Sequence, residues 1–138
     1  MWMTKATSVP ARKRLGATTW LDLTWRLMIG SFPMIGIGMA IGYGTGASSA
    51  PAIVNVVYLP MAFLSGIFIP FSVLPSFIQR IGQVLPTYHY AQLGWNVLGP
   101  GVANESTVQA LVWIAGWSVV LLALAMRVYR LDESRKFN

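Results

Sequence analysis

The sequence contains no cysteine among its 138 residues, which excludes disulfide bonds and thiolate metal sites. It also has no Gly-x-x-x-x-Gly-Lys-Ser/Thr motif, the loop that cradles phosphates in many nucleotide hydrolases. Any ATP that drives this protein must therefore bind to another chain or region. The lack of cysteine leaves the cellular compartment open.

Charged side chains are also scarce. Only Arg80 and Glu105 carry a charge between Arg26 and Arg127, and residues 27–79 carry none over 53 positions. The chain is 55% hydrophobic and 10% charged, whereas soluble domains are roughly 25% charged. This composition indicates an integral membrane protein whose surroundings are largely lipid.

Side chains that commonly serve in catalysis or bind metals are few as well, with one histidine and four carboxylates. They form no His/Asp/Glu cluster suited to a metal or a catalytic pair, so we expect no enzyme activity and no catalytic, cofactor-binding or metal-binding residue. The net charge of +6 comes from two basic flanks beside apolar segments. Such flanks favour contact with anionic membrane lipids over nucleic acid.

Three segments are long and apolar enough to cross a bilayer, which takes about 20 residues in a helix. They are residues 27–46, 51–69 and 107–126. The intervening segment 70–106 is apolar but is broken by prolines, which indicates an excursion at the membrane surface. We therefore predict an all-α membrane protein with three transmembrane helices and an external pair of short amphipathic helices between the second and third.

The first two predicted spans contain candidate packing and pathway residues. Gly38, Gly42 and Gly46 recur every four residues, which predicts a face where another helix can approach closely. In the second span, Asn55 and Tyr58 place polar groups inside the membrane, where they either bond a neighbouring helix or line a solute pathway.

The external helices are predicted at residues 74–85 and 87–98. Apolar residues in the first follow helical spacing on one face, and polar residues occupy the other. Pro86 separates the two helices. His89 at the start of the second has two interpretations: a hydrogen-bonded interfacial side chain or a proton relay. Ser106 and Gln109 have the spacing of a capping box for the last span.

The basic flanks place conflicting demands on the topology. Five Lys/Arg residues precede Leu27 and four follow Met126, and the positive-inside rule assigns both flanks to the cytoplasm. Three spans put them on opposite sides, so either the first flank does not obey the rule or further helices belong upstream.

An ordered series of motifs resembles the permease of a type-2 ATP-binding-cassette (ABC) exporter. The series is Leu-Pro-Met-Ala-Phe-Leu-Ser-Gly-Ile-Phe-Ile-Pro at 59–70, Leu-Pro at 74–75 and Leu-Pro-Thr-Tyr-His at 85–89. Residues 20–130 resemble the C-terminal half of that permease, so the family's first three spans have no counterpart here and the chain is expected to be truncated. Residues 1–19 match nothing in the family and are expected to be a disordered basic flank, and residues 131–138 a cytoplasmic tail.

The resemblance implies a multi-pass protein of the bacterial inner membrane with a cytoplasmic C-terminus. It implies two kinds of partner: a second permease copy, in a homo- or heterodimer, and a separate ABC subunit that binds the ATP. The chain itself would hold no cofactor. Asn55, Tyr58 and Ser65 would face the pathway of a drug-like, lipidic or other amphiphilic substrate. Gly66 and Pro70 would shape the turn into the external helices, whose apolar faces would close the outer gate. Two alternatives are a small self-assembling holin-like membrane protein and an accessory membrane anchor without transport activity.

Overall fold

The computed structural model describes residues 16–99 and 102–136, and every regular element in that part of the chain is helical. This confirms the all-α prediction. The α-helices of these described residues are α1 (Ala17–Gly30), α2 (Phe32–Thr45), α3 (Ala50–Leu64), α4 (Ser76–Gly82), α5 (Pro86–Leu98) and α6 (Thr107–Lys136). A short 3₁₀ turn, Phe71–Val73, lies between α3 and α4.

Helices α1 and α2 follow each other with a single-residue interruption at Ser31. Pro33 lies in the first turn of α2, where its missing N–H is tolerated. The helical structure begins at Ala17, ten residues before the predicted start of the first span. Asp22 explains part of this extension, because its carboxylate accepts hydrogen bonds from Arg26 Nε and Trp25 Nε1, both at 2.8 Å. Residues 1–15 of the predicted flank lie outside the described residues.

Helix α3 ends at Leu64, five residues before the predicted end of the second span at residue 69. The early end has a local cause, because Gly66 has φ +78°, a left-handed conformation that terminates helices. The Ile67 N–H then donates to the Ala62 carbonyl at 3.3 Å. Fifteen residues rise only about 22 Å, less than the roughly 30 Å of a hydrocarbon core.

The helical cap, which we define as residues 65–99 and 102–106, connects α3 to α6. Its most buried element is α5, with seven buried residues. The Phe71 ring packs on Tyr88 with centroids 4.7 Å apart. At the far end of the cap, Ser106 Oγ accepts a hydrogen bond from Gln109 N at 3.2 Å, so the hydroxyl half of the predicted capping box is present.

Helices α2 and α6 share the largest helix interface and run parallel. Three contacts show this direction, because the residue numbers of both partners rise from one contact to the next. They are Arg26 with Thr107, Gly36 with Leu121, and Tyr43 with Tyr129. Leu93 of α5 packs with Ala110 and Ile114 of α6 in the most buried apolar cluster. The cap therefore lies at the end of the bundle where α1 and α6 begin.

Two helical segments in the described part of the chain are long and apolar enough to cross a membrane. They are Ala17–Thr45, with 29 residues, and Thr107–Ser134, with 28. Only 22% of each apolar stretch is buried within the chain, so most of this apolar surface has no partner among the described residues. Helix α3 is apolar but shorter than the other two.

Candidate functional site in the helical cap

Three of the five predicted pathway or gate residues come together in one cleft of the helical cap. Ser65, Gly66 and Pro70 line a cleft of about 560 Å³ between the end of α3 and one side of α5. The opposite wall includes Gln92, Trp95 and Asn104. The cleft thus combines aromatic surface with amide groups that can donate and accept hydrogen bonds.

Ser65 fastens the cap to α3 rather than presenting a free hydroxyl. It is 1% exposed, and its hydroxyl bonds both the Met61 carbonyl and the Thr87 hydroxyl at the start of α5. Gly82 of α4 lies against the same helix end, where an added Cβ would overlap the Leu64 carbonyl oxygen. These contacts hold α4 and α5 on the end of α3.

The other two predicted pathway residues, Tyr58 and Asn55, lie on α3 and differ in whether their polar groups are hydrogen-bonded. Tyr58 donates a hydrogen bond from its hydroxyl to the Met34 carbonyl of α2 at 2.7 Å, so its polar group joins two helices. Asn55, one turn earlier on α3, is exposed, and its side chain has no hydrogen bond among the described residues. Within this chain, Asn55 remains available to a solute, a second chain or a polar cavity.

The predicted packing glycines make no close contact within the described chain. A Cβ at Gly38, Gly42 or Gly46 would meet nothing within 4 Å. Close approach occurs instead at Gly36, where a Cβ would lie 2.8 Å from Leu121 Cβ, and at Gly30, where it would lie 2.7 Å from Tyr90 Cδ2. Packing of Gly38, Gly42 and Gly46 against another chain remains a prediction.

The structure also shows a buried ionisable pair that the sequence patterns did not predict. His89 Nδ1 lies 2.9 and 3.0 Å from the two carboxylate oxygens of Glu105, and these side chains are 2% and 4% exposed. Trp113 of α6 stacks on the His89 ring with centroids 4.9 Å apart and an interplanar angle of 7°. His89 is therefore hydrogen-bonded, as one of the two sequence interpretations held, but its partner is an acid.

Two further hydrogen bonds hold the segment around Glu105 to α5. Asn96 Nδ2 donates to the Glu105 carbonyl at 2.9 Å, and Gln92 Oε1 accepts from the Asn104 backbone N–H at 2.8 Å. Together with the His89–Glu105 pair, they connect three positions on one side of α5 to the segment that leads into α6.

Burial changes the protonation properties of this region. Desolvation lowers the pKa of His89 from its ordinary value of 6.5, while the charge and hydrogen bond of Glu105 and the Gln83 backbone oppose that effect. The pKa of Tyr88 is raised, first by desolvation and then by the negative charge of Glu105. Both effects favour the neutral forms of these two side chains.

The described part of the chain is all-helical, and a packed cap lies beside two helical segments that are long and apolar enough to cross a membrane. The chain is 27% identical over 115 residues to a protein of Bacillus subtilis (strain 168) described as "Putative transport permease YvfS". The match covers 83% of this chain and confirms the resemblance to a transport permease found in the sequence. The chain spans 46%, about half, of that relative's length. No protein-family model and no solved structure matches the chain.

Proposed function

We propose that this chain is a membrane-spanning permease subunit, or part of one, in an ABC-type exporter of the type-2 class. The observation that carries the proposal is its similarity to a transport permease over 83% of its length. The order of an apolar helix, a capped end at Ser65 and Gly66, two short helices and a final apolar helix supports it. The substrate class that suits a pathway in lipid is a drug-like, lipidic or other amphiphilic molecule.

The proposed topology has three spans. Helices α1 and α2 cross in one direction, α3 returns, and α6 crosses again parallel to α2. Helix α3 is short for a span, but a bilayer can thin locally to match a short apolar helix. The basic residues after Met126 favour a cytoplasmic C-terminus in a bacterial inner membrane, which makes the helical cap external.

The exposed surface of α3 is the proposed contact with a second permease copy. Val56, Leu59 and Phe63 are 73%, 56% and 44% exposed, and no residue of α3 is buried. Asn55 lies on the same helix and is the remaining candidate for the pathway. Ser65, Gly66 and Pro70 are proposed to shape the outer gate, while Tyr58 positions α3 against α2. ATP would bind to a separate ABC subunit, whose closure drives the two permease copies between inward and outward states.

Purification of the tagged chain from its native membrane tests the partnership. We expect a subunit with a Gly-x-x-x-x-Gly-Lys-Ser/Thr loop to co-purify, and we expect deletion of the chain to raise accumulation of amphiphilic dyes. Absence of both effects would support the accessory-anchor alternative. Loss of membrane potential when the chain is expressed alone would support the holin-like one.

A pair of α3 variants separates pathway residues from positioning residues. Asn55→Leu removes an exposed amide without an intrachain partner, so we expect export to fall about tenfold while thermal stability is unchanged. Tyr58→Phe removes the bond to Met34, so we expect a loss of about 1 kcal/mol in stability, typical of one hydrogen bond. Unchanged export by Asn55→Leu would contradict the assignment of Asn55 to the pathway.

A further inference from the structure

The joint between α5 and α6 contains a buried pair of ionisable groups, and one of them is a histidine, whose charge ordinarily changes near neutral pH. His89 and Glu105 are nearly inaccessible, and the histidine nitrogen is within hydrogen-bond distance of both carboxylate oxygens. Removing ionisable groups from water is costly unless they are paired. Their position at the joint means that any change in their charge acts on the contact between the two helices.

The contacts of the His89 ring favour its protonated form, whereas its burial opposes that form and has the larger effect. A carboxylate faces Nδ1, the Trp113 indole stacks on the ring, and the Gln83 backbone lies near enough to favour the protonated form. A cation over an indole face is attracted by the ring electrons. Nε2 is buried without a hydrogen-bond partner among the described residues, so protonation would place an unsatisfied N–H donor there, which opposes proton binding while the joint is closed.

Other ionisable groups on the elements packed against α5 have contacts of their own. Tyr88, the neighbour of His89 on α5, lies edge-on to its ring with centroids 5.3 Å apart, and Tyr90 of α5 lies against Gly30 of α1. Asp22 pairs with Arg26, Arg26 also contacts Thr107, Tyr58 bonds the Met34 carbonyl, and Tyr43 packs on Tyr129. The charged residues of α6 lie at its end away from His89 and include Arg127, Arg130, Asp132 and Glu133. Arg80 on α4 is exposed. Glu105 is the group whose charge acts on His89.

The direction of the pH effect follows from the lowered pKa of His89. The closed joint binds a proton less readily than an opened, solvated histidine does, because burial outweighs the favourable contacts. The free energy that favours the closed joint is therefore fully present above the ordinary pKa of 6.5. It decreases as the pH falls below that value, through the lower pKa of the closed state.

We propose that His89, Glu105 and Trp113 form a proton-binding latch that fixes α5 to the start of α6 at neutral pH and releases it on acidification. Release also frees the segment that Asn96 and Gln92 hold to α5, because these bonds flank the same joint. The latch depends only on contacts within this chain and does not require the proposed transport function.

Nuclear magnetic resonance of the full chain in lipid nanodiscs tests the proton-binding site directly, since the sequence has a single histidine. With ¹⁵N-labelled histidine, we expect an imidazole pKa below 6.5 that falls further in Glu105→Gln, which loses the anionic partner. Trp113→Phe, which weakens the stacking, should lower it in the same direction. The matched control Glu133→Gln, at the far end of α6, should leave it unchanged. A wild-type pKa at 6.5, or one insensitive to Glu105→Gln and Trp113→Phe, would overturn the site.

Hydrogen exchange tests the release. We expect protection of α5 amides, corrected for intrinsic rates and compared with α2, to fall between about pH 8 and about pH 5, the range in which histidine changes charge. In His89→Gln this pH dependence should disappear, whatever the baseline protection of that variant. An equal pH-dependent loss in wild type and His89→Gln, or none in wild type, would show that the pair does not act as a latch.

Discussion

Gly66 has a backbone conformation that other residues adopt only with strain. Its φ is +78°, and an added Cβ would lie 2.9 Å from Phe71 Cβ. A left-handed conformation costs a residue with a side chain roughly 1–2 kcal/mol. The turn between α3 and the cap thus depends on the absence of a side chain at this position.

Gly66→Ala should therefore lower the free energy of unfolding by about 2 kcal/mol, since the cost of the left-handed backbone is increased by the contact with Phe71. Thermal unfolding in detergent measures the change. Gly38→Ala is the matched control: its Cβ meets nothing within 4 Å, and alanine is favoured over glycine inside helices by roughly 0.5–1 kcal/mol. Equal stability of the two variants would contradict the proposed role of Gly66.

Individual residues also differ in how well a sequence pattern predicts their structural role. Ser65 and Gly66 form a local signal, because a hydroxyl and a left-handed glycine end the helix to which they belong. The His89–Glu105 pair is not local: 16 residues separate its members, and no helical period connects them. The available signal was the rarity of charge, since Glu105 is one of only two charged side chains between Arg26 and Arg127. A lone acid in an apolar region needs a partner, and His89 was the one histidine present.

At the element scale, the bounds of the cap helices differ little from the segments that the amphipathic pattern predicts. The ends of α4 and α5 lie at most three residues from those of the predicted segments 74–85 and 87–98. Prolines explain this accuracy, because Pro75 and Pro86 mark helix starts. The predicted span begins at residue 27 because apolar length defines it, whereas the helix that contains it begins at Ala17, where Asp22, Trp25 and Arg26 satisfy one another.

The interface of α2 and α6 depends on one glycine and not on its neighbours along the chain. Gly36→Leu would push side-chain atoms into Leu121, so we expect it to separate the helices and cost at least about 2 kcal/mol in stability. Gly38→Leu, two residues away, meets open space and should leave the stability of the isolated chain within about 0.5 kcal/mol of wild type. Chemical unfolding in detergent distinguishes them. A larger effect for Gly38→Leu would show that the α2–α6 register differs from the one described.

For the whole molecule, parallel packing of α2 and α6 determines which ends share a side of the membrane. Arg26 and Thr107 lie at the cap end, whereas Tyr43 and Tyr129 lie at the opposite end. The conflict between the basic flanks therefore persists in the fold, because Arg26 and Arg127 are at opposite ends of the helical pair. The positive-inside rule favours the end with Arg127 and Arg130 as cytoplasmic, since these residues follow a long apolar helix directly.

Labelling of single introduced cysteines tests this topology. The chain has no cysteine of its own that could also react with the label. In intact spheroplasts, a membrane-impermeant maleimide should label Ser76→Cys in the cap, whereas Ser48→Cys and Ser134→Cys should react only after permeabilisation. Val56→Cys, on the apolar part of α3, is the control for a position within the membrane, at lipid or at the second permease copy, and should react poorly throughout. Labelling of Ser48→Cys and Ser76→Cys from the same side would show that α3 does not cross the membrane. Labelling of Ser76→Cys only after permeabilisation would instead invert the proposed orientation, and the Arg127 end would then face outward against the positive-inside rule.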